Sequence, residues 1–254
     1  MQKIFIKNRK DQNIAVIIEK VEKPKGLVFV MHGLGGFKEQ LHVETFARVF
    51  RDNSYTVVRF DTTNSFGESD GDYADATVTN YYQDLEDVID WAERQDFYQE
   101  PFVLCGHSLG GISTALYSQN YSEKIKALAP ISTVVSGKIS IERYSKEELE
   151  EWKKTGWQIK LSSDGKRVKK IKYNHIIDRL KYNLLDDADK LVMPVLLVAG
   201  ELDESTPPKH QQLLFDKLPG QKELYIIKNA PHTFRDKDHL DEVYRIIDKW
   251  IKNI

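Results

Sequence analysis

The chain has 254 residues, which is enough for one large domain with a substantial core, and its 41% hydrophobic and 30% charged residues are typical of a soluble globular protein. A net charge of −2 excludes a bulk attraction to nucleic acid or to an anionic membrane, and no apolar run approaches the length of a membrane span. The single cysteine, Cys105, excludes an intrachain disulfide, and the N-terminus lacks a signal-peptide core. We therefore expect a cytoplasmic protein, a monomer or a homodimer, with no nucleic acid and no stable membrane insertion.

Strand-like and helix-like segments alternate along most of the chain. Residues 4–7 and 14–19 predict an antiparallel hairpin. Continuous apolar runs, typical of strands buried on both faces of a sheet, follow at 27–31, 56–60, 102–105, 125–131, 195–199 and 224–227. Apolar residues at helical spacing occupy 40–53, 79–94, 109–119, 208–217 and 238–252. This order predicts an α/β domain with an eight-stranded, mostly parallel sheet flanked by helices.

Residues 134–190 interrupt the alternation, because they are too long for an ordinary connection between two strands. Ser145 and Glu148 form a capping-box pattern that predicts a helix through about Lys154. A turn at 163–166 predicts a hairpin between 157–162 and 168–173. We interpret 1–133 and 191–254 as the core domain and 134–190 as a small inserted cap made of a helix and a hairpin.

The cap is locally basic. Between residues 160 and 181 there are eight Lys or Arg against two Asp, an excess of six positive charges. Two interpretations fit this excess, a solvated basic hairpin and a surface that steers anions, and we favour the first. Three cap aromatics, Tyr144, Trp152 and Trp157, are candidates to line a substrate pocket, although packing of the cap on the core explains them equally well.

A Gly-x-Ser-x-Gly pentapeptide, Gly106–Gly110, lies between a predicted buried strand and a predicted helix. Strand, pentapeptide and helix in this order predict a nucleophile elbow, in which Ser108 stands at the top of a sharp turn that only glycine neighbours permit. The helix that follows directs free N–H groups toward the same point. Ser108 is therefore the candidate nucleophile.

A serine hydroxyl needs a base to take its proton and an acid to orient that base. Asp203 follows the predicted strand 195–199, and His232 follows the predicted strand 224–227. Because the carboxyl ends of parallel strands share one edge of a sheet, we expect both side chains to lie beside Ser108. Glu201 and Glu204 remain alternative acids, and we favour Asp203.

The other six of the seven histidines are weaker candidates for the base. We expect His107 to brace the elbow and His32 to hydrogen-bond within its own loop. The remaining four lie on predicted helices or in the cap: His42, His175, His210 and His239.

The glycine-rich loop 32–36 follows the predicted strand 27–31. A tetrahedral intermediate needs donors for its oxyanion, and such a loop lets the backbone approach a ligand closely. We expect the backbone N–H groups of Leu34 and Leu109 to form this oxyanion hole.

The sequence resembles the α/β-hydrolase superfamily of serine hydrolases over nearly its full length, through His32-Gly33, Gly106–Gly110, Asp203 and His232. The short cap and the Gly-His-Ser-Leu-Gly-Gly elbow are similar to the cinnamoyl and feruloyl esterase and monoacylglycerol lipase branch. The loop 61–69 resembles the superfamily's Asp-x-x-Gly-x-Gly-x-Ser loop, but Asn64 stands where the first glycine is usual, which puts that local turn in doubt.

The resemblance implies an α/β-hydrolase fold and the hydrolysis of small-molecule carboxylic esters through an acyl-enzyme, without a metal ion or an organic cofactor. The same catalytic groups serve thioesterases, amidases and peptidases, so those activities remain open. A non-catalytic ligand-binding relative is a further alternative, disfavoured because all three triad residues occur in the expected order.

Overall fold

A computed structural model describes residues 1–161, 165 and 167–254 of the chain. The strands in this part of the chain are β1 (Gln2–Lys7), β2 (Asn13–Glu19), β3 (Gly26–Met31), β4 (Tyr55–Phe60), β5 (Phe102–His107), β6 (Ile125–Ile131), β7 (Trp157–Leu161), β8 (Val168–Lys172), β9 (Val195–Gly200) and β10 (Lys222–Ile227). The helices are α1 (Leu41–Asp52), α2 (Val78–Ala92), α3 (Leu109–Asn120), α4 (Gly137–Ser140), α5 (Lys146–Thr155), α6 (Asn174–Arg179), α7 (Pro208–Lys217) and α8 (Lys237–Ile251). No helix in these described ranges is both long enough and apolar enough to cross a membrane.

Eight strands form one sheet in the order β1-β2-β4-β3-β5-β6-β9-β10. Strand β2 pairs antiparallel with both β1 and β4, and the other pairs are parallel. The predicted eight-stranded, mostly parallel sheet is therefore confirmed. All residues of β3, β4, β5 and β9 are buried, because helices cover both faces of the sheet.

Alternate residues of the central strands pack into two hydrophobic cores. Phe29 of β3 faces one core together with residues of α2 and α3, and Val28 of the same strand faces the other together with residues of α1 and α8. The two outer strands, β1 and β10, are more exposed than these central strands. The carboxyl ends of the parallel strands share one edge of the sheet. The loops that leave β3, β4, β5, β9 and β10 all begin at this edge.

The segment 134–190, here called the insertion, contains α4, α5, β7, β8 and α6. The predicted helix is α5, and both hydrogen bonds of its capping box are present between Ser145 and Glu148. The predicted hairpin is the antiparallel pair β7 and β8, although its turn at 163–166 lies, apart from Gly165, outside the described residues. Helices α4 and α6 were not predicted, because elements of four and six residues are too short to show a helical period.

Helix α6 is attached to the core by side chains of the insertion. Asp178 accepts hydrogen bonds from the Thr79 amide at 2.9 Å and from the Thr79 hydroxyl at 2.6 Å, at the start of α2. His175 Nδ1 donates to the carbonyl of Ala76 at 2.9 Å. These bonds hold α6 in a fixed position above the sheet edge.

A buried ion pair joins the loops after β3 and β4. The Lys38 ammonium and the Asp61 carboxylate are both fully buried, 2.7 Å apart. Asp61 also accepts the backbone amides of Lys38 at 2.7 Å and Glu68 at 2.8 Å, and Lys38 reaches the Glu68 carboxylate at 2.7 Å. Since its charges and donors are mutually satisfied, this cluster ties the glycine-rich loop to its neighbour.

We predict that Lys38→Met lowers the free energy of unfolding by about 3–5 kcal/mol, because it leaves the Asp61 carboxylate buried without its cation. Urea denaturation measures the change. The matched control is Lys3→Met, which removes an amine 2.8 Å from the same Glu68 but 48% exposed, and we expect it to cost less than about 1 kcal/mol. Equal losses for the two variants would contradict this account of the pair.

Candidate active site

Ser108 occupies a sharp turn between β5 and α3. Its backbone has φ 56° and ψ −110°, a conformation that residues other than glycine rarely adopt. A Cβ at Gly106 would lie 2.4 Å from the carbonyl oxygen of Gly110, and a Cβ at Gly110 would lie 2.5 Å from that of His32. Both flanking glycines are therefore required by close backbone approach, and the turn has the form that the pentapeptide predicts.

The structure brings Ser108, His232 and Asp203 together at the sheet edge. His232 Nε2 lies 3.0 Å from Ser108 Oγ, and His232 Nδ1 lies 2.8 Å from Asp203 Oδ2. The three residues come from the loops after β5, β10 and β9. They form one continuous chain of hydrogen bonds from the carboxylate to the serine hydroxyl.

The surroundings of Asp203 keep its carboxylate ionised. Burial acts to raise the pKa of Asp203, but hydrogen bonds from His232 and from Thr206 outweigh burial and hold the pKa well below its usual range. The amides of Ser205 and Thr206 each donate to Oδ1 at 2.8 Å. Because the carboxylate accepts from His232 Nδ1, that nitrogen carries the proton, and the lone pair of Nε2 faces Ser108 Oγ.

Thr206 is a site residue that sequence reasoning missed. Its hydroxyl lies 2.8 Å from Asp203 Oδ2 and 2.8 Å from the carbonyl oxygen of Ser132, which directly follows β6. The single hydroxyl proton serves one of these acceptors at a time. Thr206 therefore ties the Asp203 loop to the end of the neighbouring strand. The only sign of this role in the sequence is a threonine three residues after the candidate acid, a spacing at which a side chain can bond locally.

The alternative acids lie apart from the imidazole. Glu201 and Glu204 are exposed, and the Glu201 carboxylate accepts the amide of Asn229 at 2.9 Å. Neither has a hydrogen bond to His232 among the described residues. Asp203 is the carboxylate that the structure places against His232.

We expected His107 to brace the elbow, and the structure shows that its side chain contacts the loop of His232. Burial, as the largest cause, lowers the pKa of His107 to about 3, so the ring is neutral, and its Nε2 lies 2.9 Å from the carbonyl oxygen of His232. His42 packs against His107 with ring centroids 4.5 Å apart. A histidine next to the candidate nucleophile thus positions the candidate base.

His32 hydrogen-bonds within its own loop, as predicted, and also to the loop after β4. Its Nδ1 lies 2.8 Å from the carbonyl oxygen of Gly33, and its Nε2 accepts the Thr62 amide at 3.0 Å. The other three histidines lie on helices and have no hydrogen bond to a triad residue among the described residues: His175 on α6, His210 on α7 and His239 on α8.

The amides of Leu34 and Leu109 are both without an acceptor among the described residues. Leu109 is the first residue of α3, where a helical amide has no intrahelical partner. The Leu34 loop lies against the serine, since a Cβ at Gly33 would be 3.0 Å from Ser108 Cβ. Two free donors therefore flank the nucleophile from opposite loops.

Tyr81 of α2 fixes the conformation of the Leu34 loop. Its hydroxyl donates to the Gly33 carbonyl at 3.3 Å and accepts the Gly35 amide at 3.2 Å. One buried side chain thus holds both residues that flank Leu34, and no pattern in the sequence predicts this contact.

Asn64 stands where the superfamily pattern has a glycine, and its backbone adopts a conformation that glycine favours. Its φ is 58°, a left-handed conformation that asparagine tolerates better than most residues. The Asn64 side chain accepts the Asp72 amide at 3.0 Å and donates to Asn80 at 3.0 Å. The substitution leaves the local turn intact.

A cavity of about 540 Å³ opens beside Ser108 and His232, between the sheet edge and the insertion. Of the three aromatic residues proposed to line a pocket, Tyr144 and Trp152 do so, whereas Trp157 is not among its described lining residues. The space suits a small organic substrate.

Within the described part of the chain, no group of three or more His, Cys, Asp or Glu side chains is arranged to hold a metal ion.

Residues 22–180, more than half of the chain, match the sequence profile of the serine aminopeptidase S33 family of hydrolases. The chain belongs to this family. Its residue pattern and its fold place this hydrolase in the α/β-hydrolase superfamily, as predicted.

Two curated relatives cover most of the hydrolase. An Escherichia coli protein described as an uncharacterized 31.7 kDa protein in the traX-finO intergenic region is 28% identical, over 89% of this chain and 90% of its own. The mitochondrial palmitoyl-protein thioesterase ABHD10 of Bos taurus is 25% identical, over 91% of this chain and 74% of its own. Among solved structures, Est1E from Butyrivibrio proteoclasticus with bound ferulic acid superposes with a TM-score of 0.83 at 22% identity, over 98% of each chain, and confirms the fold.

We predict that Asp203→Asn destabilises this hydrolase by about 1–3 kcal/mol at pH 7, because the NH₂ group that replaces one carboxylate oxygen cannot accept the hydrogen bonds made to that oxygen. The folded pKa lies below the unfolded value of about 3.9, so the carboxylate contributes stability above that pH and loses it as the pH falls. Urea denaturation from about pH 7 to pH 3 should show the two proteins converging. Glu201→Gln, at an exposed neighbour, is the control, and a difference that stays constant with pH contradicts the prediction.

Proposed function

We propose that this protein is a serine hydrolase that cleaves carboxylic esters with Ser108 as nucleophile, His232 as general base and acid, and Asp203 as the orienting carboxylate. The observation that carries the proposal is the unbroken hydrogen-bond chain from Asp203 through His232 to Ser108, which ends beside two unpaired backbone donors. Such a chain converts a serine hydroxyl into an effective nucleophile at neutral pH.

In the first step, Ser108 Oγ attacks the ester carbonyl carbon while His232 Nε2 takes the hydroxyl proton. Asp203 stabilises the imidazolium that results and keeps the ring in the required orientation. The carbonyl oxygen becomes an oxyanion, which accepts hydrogen bonds from the Leu34 and Leu109 amides. Loss of one such donor typically lowers kcat about 10²- to 10³-fold.

The intermediate then collapses, the bond to the leaving oxygen breaks, and His232 returns the proton to the departing alcohol. This leaves the acyl group on Ser108 Oγ. In the second half-reaction His232 takes a proton from water, the hydroxide adds to the acyl carbon, and the acid leaves as Ser108 regains its proton. No group other than water and the substrate enters either step.

A thioester is the second candidate substrate class. The relative that favours it is ABHD10, a palmitoyl-protein thioesterase by name, which this chain matches at 25% identity over 91% of its length. The family is described as serine aminopeptidases, which makes peptide-like amides a third candidate substrate class. All three classes use the same acyl transfer, and they differ in the leaving group.

Ser108→Ala should abolish turnover of 4-nitrophenyl esters, with a loss of about 10⁴-fold or more, because the variant lacks the attacking oxygen. Mass spectrometry of protein treated with a fluorophosphonate should locate the adduct on Ser108 in the wild type, and Ser108→Ala should remain unlabelled. Ser113→Ala, at a buried serine one turn along α3, is the matched control and should stay active. A folded Ser108→Ala protein with full activity would contradict the proposal.

Matched ester, thioester and aminoacyl-amide substrates that share one acyl group should separate the candidate classes. We expect the highest kcat/KM with the oxygen ester and slower turnover of the amide, whose leaving group needs full protonation by His232. A kcat/KM at least about tenfold higher for the thioester would assign the protein to the thioesterases. Dominant amide cleavage would favour a peptidase.

A further inference from the structure

The cavity beside Ser108 has a strongly basic wall. Six basic residues line it, and no aspartate or glutamate does so in the part of the chain that the structure describes. The basic residues are Arg143, Lys160, Arg167, Lys169, Arg179 and Arg235. The eight basic residues between 160 and 181, which we interpreted as a solvated hairpin, thus include four that border the candidate active site.

Arg179 differs from the other five, which are exposed or partly exposed. Arg179 is 6% exposed, its Nε has no hydrogen-bond partner, and its guanidinium forms no ion pair with any described residue. The adjacent acid, Asp178, is already bonded to Thr79. An arginine is seldom buried without a partner, because a buried charge costs free energy that only a counter-ion or several hydrogen bonds offset.

The groups around Arg179 also lack an acceptor. Burial raises the pKa of Tyr73 to about 12, so its hydroxyl is neutral, and this hydroxyl has no partner among the described residues. The buried indole Nε1 of Trp152 is likewise without an acceptor. Arg179, Tyr73 and Trp152 all line the same cavity. Each of them presents a hydrogen-bond donor, so the missing complement is a group of acceptor oxygens with negative charge.

We infer that Arg179 binds a carboxylate carried by the substrate, at a subsite of the same cavity in which Ser108 would react. This inference rests on the proposed function and extends it to a substrate class, esters or thioesters that bear a free carboxylate on the acyl or the alcohol side. The guanidinium presents paired N–H groups that match the two oxygens of a carboxylate. Helix α6, held by Thr79 and Ala76, fixes Arg179 before the substrate arrives.

The kinetic test compares substrates of equal length with and without the carboxylate. 4-Nitrophenyl hydrogen adipate against 4-nitrophenyl hexanoate examines the acyl side, and 4-carboxyphenyl hexanoate against phenyl hexanoate examines the alcohol side. We expect the wild type to prefer the carboxylate on one side by about 10- to 100-fold in kcat/KM. Arg179→Met should remove that preference with little loss on the neutral ester.

Two further variants make the result specific. Arg179→Lys keeps the charge without the paired N–H groups and should retain part of the preference. Arg94→Met removes an exposed arginine that does not line the cavity and should leave the preference unchanged. Arg179→Met should also have a raised melting temperature, because it removes an unpaired buried charge, and should still react with the fluorophosphonate.

A binding experiment separates this inference from the proposed function. Calorimetry on Ser108→Ala requires no turnover and compares two pairs of ligands, monomethyl adipate against methyl hexanoate for the acyl side and 4-carboxyphenyl hexanoate against phenyl hexanoate for the alcohol side. Preferential binding of the carboxylate that is lost in Ser108→Ala/Arg179→Met supports the subsite whether or not Ser108 is the nucleophile. Equal affinities within both pairs, or a preference that survives the loss of Arg179, would overturn the inference.

Discussion

The backbone of Ser108 is the constraint on which the rest of the site depends. A non-glycine residue at φ 56° is strained, at a cost of about 1–3 kcal/mol, and persists only where its surroundings enforce it. Here the Ser108 amide donates to the carbonyl of Ile131, the last residue of β6, at 3.0 Å, and the Ser108 carbonyl accepts from the amide of Val134, three residues later, at 3.3 Å. The strained turn raises Oγ above the sheet edge and leaves the Leu109 amide unpaired beside it.

The other site residues are held in place by bonds between neighbouring loops. Thr206 joins the Asp203 loop to Ser132, and His107 contacts the carbonyl of His232. Tyr81 restrains the Leu34 loop from the side of α2. Each candidate catalytic group is therefore positioned by a residue from another element, so the geometry exists before substrate binds. The insertion carries five of the six basic residues that line the cavity, and the sixth, Arg235, follows β10. Most of the basic wall therefore lies in a different part of the fold from the candidate catalytic groups at the sheet edge.

Much of the fold followed from the sequence because the central strands are buried on both faces and therefore appear as unbroken apolar runs. The positions of Ser108, Asp203 and His232 could be predicted because each residue follows a predicted strand, in the order serine, acid, histidine. The roles of Thr206 and Tyr81 could not be predicted, since Thr206 contacts Ser132 and Tyr81 contacts the Leu34 loop, both distant in the chain. The sequence shows the excess of basic residues in the insertion. It does not show that Arg179 is buried without a partner, because composition does not distinguish a buried charge from a solvated one.

A crystal structure of the protein after reaction with a phosphonate inhibitor would show how the site holds a tetrahedral intermediate, because the phosphonate imitates that intermediate. We expect a bond from phosphorus to Ser108 Oγ and a phosphonyl oxygen about 2.7–3.1 Å from the amide nitrogens of Leu34 and Leu109. His232 should remain between Ser108 and Asp203. Attachment to another residue, or a phosphonyl oxygen directed away from both amides, would contradict the proposed mechanism.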